Sequence, residues 1–86
     1  MTIKVTALGG LSKTIGSLEI AIEDQDLTVD YLLNRVLAAS AKNAGNLNPN
    51  SMLISINGTE MSALDGLFTI LRSGDHVVLI PVVHGG

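Results

Sequence analysis

The chain of 86 residues contains no cysteine. This absence excludes disulfides, cysteine-ligated zinc, iron–sulfur clusters and thiol nucleophiles. Aromatic residues are also scarce, since Tyr31 and Phe68 stand alone in a chain that is 47% hydrophobic. We therefore expect one domain with an aliphatic core. A domain of this length buries only about 60% of the surface of its unfolded chain, which leaves little room for a catalytic cleft.

Positive charge is scarce too. Five Lys and Arg residues stand against eight Asp and Glu residues, giving a formal net charge of -3. No basic run could neutralise several phosphates at once, so we expect no direct nucleic-acid partner. His76 and His84 are too few for a metal site, and no nucleophile and base occur in a pattern typical of an enzyme.

Long apolar runs are missing as well. The longest, at residues 77–83, is much shorter than the roughly 20 residues that cross a bilayer. The first residues, Met-Thr-Ile-Lys, do not form a basic and then apolar leader. We therefore expect a soluble, cytoplasmic protein with no membrane partner.

The first half of the chain has the patterns of a hairpin followed by a helix. Residues 3–8 and 17–23 alternate apolar and polar side chains with period two, which predicts two strands. Thr28 stands where a helix N-cap belongs and Gly45 is a natural stop, so we predict a helix between them. Its apolar face is predicted to contain Val29, Leu32, Leu33 and Val36.

The second half predicts more strands around short turns. Residues 52–56 have strand composition, and Asn57-Gly58 is typical of a tight hairpin turn before a short strand at residues 59–61. Residues 62–71 are irregular, with one helical turn at most. A turn at residues 72–75 then leads into the last strand.

The last strand, at residues 76–82, is apolar at nearly every position. Such a strand belongs in the middle of a sheet, because both of its faces must be covered. Pro81 cannot donate to a ladder, so pairing on one side should fail near it and the following residues should project. With the right-handed crossover rule, we predict an α+β fold in which one main helix lies across a mixed sheet of four or five strands.

Gly85 and Gly86 directly follow this strand. Because Gly has no Cβ, both residues can pass through a narrow channel and approach a nucleotide closely. The carboxylate of Gly86 could then attack the α-phosphate of ATP to give an acyl adenylate. The adenylate could accept sulfur as a thiocarboxylate or react with a lysine amine. The alternative, a non-covalent interaction module with an inert diglycine end, stays open.

Together these features resemble the MoaD and ThiS family of ubiquitin-like sulfur carriers, which have the β-grasp fold. The resemblance rests on INGT at residues 56–59, SGDHVVLIP at residues 73–81 and the final diglycine. It is closer to MoaD, given Pro81 and the chain length. It implies a single β-grasp domain at residues 1–83 and a flexible tail at residues 84–86.

The resemblance also implies a function. A partner similar to ubiquitin-activating enzymes would use ATP to adenylate Gly86, and a sulfur donor would convert it to a thiocarboxylate. The chain would bind no cofactor and no metal, and would act as a co-substrate or small subunit of a synthase rather than as an enzyme. Partner contacts are expected on the open sheet face and on Pro81, Val82, Val83, His84 and Gly85.

The implied sulfur acceptor is the large subunit of a molybdopterin synthase, which serves molybdenum or tungsten cofactor biosynthesis. The alternatives are tRNA thiolation, thiazole synthesis, and attachment to lysines of target proteins as a modifier. The chain departs from the MoaD pattern at Ala7-Leu8, at Ser12-Lys13 and at Val82, where the family tends to have Phe, Arg-Glu and a second Pro. These departures concern the choice of acceptor more than the carrier role.

Overall fold

The computed structural model describes residues 2–9, 17–21, 27–39 and 52–82. The elements are β1 (Thr2–Ala7), β2 (Ser17–Ala21), β3 (Leu27–Thr28), α1 (Val29–Ala39), β4 (Met52–Ile56), β5 (Thr59–Glu60), β6 (Ile70–Leu71) and β7 (His76–Pro81). Two short 3₁₀ helices, Met61–Ala63 and Gly66–Phe68, lie between β5 and β6.

Five of the strands form a mixed sheet in the order β2-β1-β7-β4-β5. The last strand, β7, lies in the middle, parallel to β1 and antiparallel to β4. The hairpin of β1 and β2 and the hairpin of β4 and β5 flank this centre, and both are antiparallel. The predicted α+β fold, with the first and last strands parallel at the centre of a mixed sheet, is confirmed.

The core lies between α1 and one face of this sheet. Val29, Leu32 and Val36 of α1 are fully buried, as the helical spacing predicts. The buried residues of the sheet are Ile3, Val5, Ala7, Met52, Ile54, Ile56, Val77 and Leu79. The core is aliphatic as expected, and both aromatic side chains are exposed instead.

Thr28 both ends β3 and caps α1. Its Oγ1 accepts a hydrogen bond from Tyr31 N at 3.2 Å, which satisfies one of the free N–H groups at the start of the helix. The predicted N-cap is therefore confirmed. The predicted helix stop at Gly45 lies outside the described residues.

A second sheet of only two short strands, β3 and β6, was missed by the sequence patterns. Leu27 pairs with Leu71 and Thr28 with Ile70, and both leucines are buried. Two residues are too few to show a period-two alternation, so no pattern indicates these strands. The interval before β6 contains two 3₁₀ helices instead of the single helical turn expected.

The turn between β4 and β5 and the turn before β7 are joined by side-chain hydrogen bonds, at the end of the sheet where β7 begins. Asn57 has φ 53° and Gly58 has φ 88°, which confirms the tight hairpin turn between β4 and β5. Asn57 Nδ2 donates to Asp75 Oδ1 at 2.9 Å, and His76 N donates to Asn57 Oδ1 at 2.9 Å. Arg72 N donates to Asp75 Oδ2 at 2.7 Å, so the turn before β7 is held by the same carboxylate.

Candidate functional site

The central strand β7 leads directly into the C-terminal residues. Val77 and Leu79 are fully buried against α1, so His76, Val78 and Ile80 point to the opposite face of the sheet. The sequence could not decide between these two sets, because both are apolar. The structure assigns them, and thereby defines an open face that α1 does not cover, which we call the outer face.

Pro81 ends the pairing of β7 with β1. Leu8 N donates to Leu79 O at 2.9 Å, so the backbone groups of Leu79 face β1. Pro81 is the next residue that would face β1, and it has no N–H to donate. On the other side Pro81 still lies opposite Met52 in the register of β4. Pairing therefore fails on one side near Pro81, as predicted, and that side is β1.

The outer face is polar where β7 begins. Lys4 of β1 lies between Glu19 of β2 and His76 of β7 in the register, and both Lys4 and Glu19 are exposed. Thr6 Oγ1 and His76 Nε2 are 2.8 Å apart, a hydrogen bond whose donor depends on the histidine tautomer. His76 therefore belongs to the polar part of the face and starts the strand, as the sequence indicates.

The outer face becomes apolar where β7 ends. Leu53 lies opposite Ile80 in the register and is 46% exposed, while Val82 and Leu8 are 38% and 44% exposed. We call Leu8, Leu53, Ile80 and Val82 the tail-end patch. Exposed apolar side chains grouped in this way are typical of protein interaction sites.

Sequence reasoning missed three members of this patch. Leu53 and Ile80 stand in strands whose other positions are also apolar or mixed, so hydropathy alone does not show their exposure, and Leu8 directly follows β1. The signal that could have found them is Lys4 and Thr6 on β1. These polar residues show which side chains of β1 face solvent. Because Lys4 lies opposite His76 and Thr6 opposite Val78, the same side of β7 faces solvent too.

The predicted tail residues are only partly described. Pro81 is half-buried at the end of β7, and Val82 is exposed beside it. Val83, His84, Gly85 and Gly86 lie outside the described residues. The role of the Gly86 carboxylate therefore stays a prediction.

No group of three His, Cys, Asp or Glu side chains among the described residues is placed to hold a metal ion. No buried side-chain nitrogen or oxygen in the described part of the chain lacks a hydrogen-bond partner. None of the described helices is long and apolar enough to cross a membrane. What the described residues do form is an open sheet face that becomes apolar toward the C-terminus.

Comparison with known proteins adds sequence evidence. The model of the ThiS family matches residues 6–86. A protein of Archaeoglobus fulgidus named "Putative sulfur carrier protein" is 33% identical in an alignment that covers 100% of both chains. The family match begins within β1, the alignment with the relative covers the whole chain, and both include the final diglycine.

Solved structures share the fold. The solution structure of the Haloferax volcanii HVO 2177 protein has a TM-score of 0.79 at 27% identity, covering 100% of this chain and 87% of that one. The crystal structure of the small archaeal modifier protein 1 from Haloferax volcanii has a TM-score of 0.78 at 21% identity, with 100% of both chains covered.

A further similar structure is the complex of subunits 1 and 2 of the molybdopterin-converting factor from Helicobacter pylori. The TM-score is 0.66 at 23% identity, with 100% of both chains covered. At this identity the likeness shows the fold, which is the ubiquitin-like β-grasp. The fold and the family matches together establish that the chain belongs to the ThiS family of small ubiquitin-like sulfur carriers.

Proposed function

We propose that this protein carries sulfur as a thiocarboxylate on Gly86. The Gly86 carboxylate attacks the α-phosphorus of ATP on an activating enzyme, and pyrophosphate leaves. Hydrosulfide released by a sulfur donor then attacks the acyl carbon, and AMP leaves, which gives the thiocarboxylate. The sulfur passes to an acceptor, and water supplies the oxygen that returns Gly86 to the carboxylate form for another cycle.

The observation that carries this proposal is the position of the tail-end patch. The patch lies at the end of β7 that precedes residues 83–86, so a partner that covers Leu53 and Ile80 contacts the chain close to where the tail begins. β7 is paired on both sides up to Leu79, which gives the tail a rigid base. A docking surface next to an anchored strand suits a carrier whose last residue must enter another protein's active site.

The proposed acceptor is the large subunit of a molybdopterin synthase, and the proposed site of action is the cytoplasm. The similar fold of subunit 1 in the Helicobacter pylori complex supports this choice. Attachment to lysines of target proteins is the second candidate, supported by the similar fold of the small archaeal modifier protein 1. Both use the same activated Gly86, so they differ only in what attacks the acyl carbon.

The absence of cysteine makes the thiocarboxylate easy to detect. The protein is produced together with an activating enzyme and a sulfur donor of its host, then treated with a thiol-alkylating reagent. Because the chain has no thiol, we expect one alkyl group, located by fragmentation at Gly86. Protein produced without the activating enzyme is the control. An unlabelled carboxylate with every activating enzyme of the host would refute the proposal.

A second experiment separates the two acceptors. Host strains that lack Gly86, or that carry one extra residue after it, are compared with the wild type. Loss of molybdenum-enzyme activity supports the molybdopterin synthase. Loss of lysine conjugates that carry the C-terminal remnant ending in Gly86 supports the modifier.

A further inference from the structure

Gly9, two residues after the end of β1, lies close to Pro81, the last residue of β7. Its φ is +59°, a backbone angle that residues other than glycine rarely adopt. A Cβ built on Gly9 would lie 3.0 Å from Pro81 Cγ and 3.5 Å from Pro81 Cδ. The first distance is tighter than an ordinary carbon–carbon contact, so a side chain at position 9 would require the Pro81 ring to shift by a few tenths of an ångström.

This contact lies where the hydrogen bonds between β1 and β7 stop. The last of them runs from Leu8 N to Leu79 O, and Pro81 cannot supply the next one. On the β1 side, the ring of Pro81 therefore packs on the backbone of Gly9 where a ladder bond would otherwise stand. A rigid ring held against a backbone fixes the direction of the chain that follows it.

We propose that Gly9 is a positioning residue for the C-terminal tail. It makes room for the Pro81 ring and thereby sets the direction in which residues 82–86 leave the sheet. This inference rests on the proposed function, because the purpose of that direction is to bring the Gly86 carboxylate to the α-phosphate of ATP. Gly9 itself touches none of the reacting atoms.

The chain offers a matched control at Gly66. Its φ is +58°, nearly that of Gly9, and apart from the local backbone and the adjoining residues no described atom lies within 4 Å of a Cβ built there. Gly66 belongs to the second 3₁₀ helix, which packs near α1 and not at the end of β7. Gly66→Ala therefore adds the same backbone strain as Gly9→Ala without a collision with Pro81.

The first measurement is ATP–pyrophosphate exchange by the activating enzyme, with the full chain as the varied substrate. For Gly9→Ala we expect kcat to fall about tenfold or more, because a displaced reacting group loses its alignment with the phosphate. KM should change less than kcat, since Leu53 and Ile80 of the tail-end patch keep their places in the paired strands, although Val82 moves with the tail. Gly66→Ala should leave both constants at the wild-type values. Equal kcat values for the two variants would overturn the inference.

The second measurement is rescue by Pro81→Ala, which removes Cγ and Cδ, the atoms that the new Cβ would meet. In the Pro81→Ala background, Gly9→Ala should lower kcat no further, whereas in the wild-type background it does. A general structural effect of Gly9→Ala would instead persist in both backgrounds, and that result would count against the positioning role. If Gly9→Ala does not fold, the double variant should fold as well as Gly66→Ala, and its failure to fold would also overturn the inference.

A third measurement keeps the inference separate from the proposed function. In the free protein, the backbone amide resonance of Val82 should shift in Gly9→Ala and not in Gly66→Ala. If wild-type protein gives no pyrophosphate exchange but the Val82 shift is seen, the proposed function fails and the effect of Gly9 on the tail stands. If exchange is normal and Val82 does not shift, the inference about Gly9 fails alone.

Discussion

At the scale of single residues, Asn57 shows how one side chain serves two purposes. An asparagine followed by a glycine, as in Asn57-Gly58, predicts a tight turn from local backbone geometry alone. Its amide also bonds to Asp75 and His76, which lie 18 and 19 positions later in the sequence. The local role is visible in the sequence, and the long-range role is visible only in the structure.

The first prediction concerns this pair. Asn57→Asp replaces the Nδ2 donor with a second carboxylate beside Asp75, so we expect a loss of about 1 kcal/mol in the free energy of unfolding. Urea denaturation measures it. The swapped variant Asn57→Asp/Asp75→Asn restores a donor facing an acceptor, since an amide at position 75 can also accept from Arg72 N. Recovery of most of the lost stability is expected, and equal stability of the single and swapped variants would contradict the pairing.

At the scale of elements, the join between β3 and α1 depends on Thr28. The residue pairs with Ile70 in the small sheet, and its hydroxyl caps the helix that follows. Val29 N also donates to Thr69 O at 3.0 Å, so the first turn of the helix is attached to the segment before β6. The helix therefore begins from a fixed point, which orients its apolar face toward the sheet.

The second prediction tests this cap. Thr28→Ala leaves Tyr31 N without its side-chain acceptor, and we expect a loss of about 1 kcal/mol in the free energy of unfolding. Thr28→Ser keeps the hydroxyl and is the matched control, with a loss of a few tenths of a kcal/mol. Denaturation followed by far-ultraviolet circular dichroism gives both values. A serine variant as unstable as the alanine variant would show that the methyl group, and not the cap, matters at this position.

Strand β7 shows what period-two patterns leave open at this scale. Its apolar composition predicts its central place correctly, but the expected cover on both faces is wrong: α1 covers the face of Val77 and Leu79, and Val78 and Ile80 lie on the open outer face. Which alternate set faces α1 does not follow, since Val77 and Leu79 differ little in character from Val78 and Ile80. The choice is made by the neighbours, above all by β1, where Lys4 and Thr6 can lie only on the wet face.

At the scale of the whole molecule, the exposed apolar side chains of the described residues are not confined to the tail-end patch, which lies on the outer face at the C-terminal end of β7. The others are Tyr31, Leu64, Phe68 and Ile70. Phe68 lies in the second 3₁₀ helix, which packs near α1 on the opposite side of the sheet from the outer face. It therefore serves as an apolar control that is more exposed than Leu53, at 80% against 46%.

The third prediction compares Leu53→Thr with Phe68→Thr. Threonine keeps a good strand propensity, and both side chains are exposed, so each change should alter the free energy of unfolding by about 0.5 kcal/mol or less. Leu53→Thr should raise KM for the activating enzyme about tenfold, because it removes the exposed apolar side chain that β4 contributes to the tail-end patch. Phe68→Thr should leave KM unchanged. The same increase for both variants would indicate that the patch is not the docking surface.

The sequence by itself determined the class of the fold, the central place of the last strand, the cap of α1 and the turn at Asn57-Gly58. Each of these features depends on local backbone geometry or on the hydropathy pattern, and both can be recognised from residues that are close together in the sequence. It also indicated the family, through motifs that run from residue 56 to the diglycine.

Only the tertiary structure decided the small sheet of β3 and β6, the outward set of β7 and the contact of Gly9 with Pro81. In each case the two partners are far apart in sequence, and each segment is too short or too uniformly apolar to indicate its partner. Packing against α1 and the parallel register of β1 supply the missing information. The tail-end patch therefore exists only in the folded sheet, which brings together residues that are far apart in the sequence.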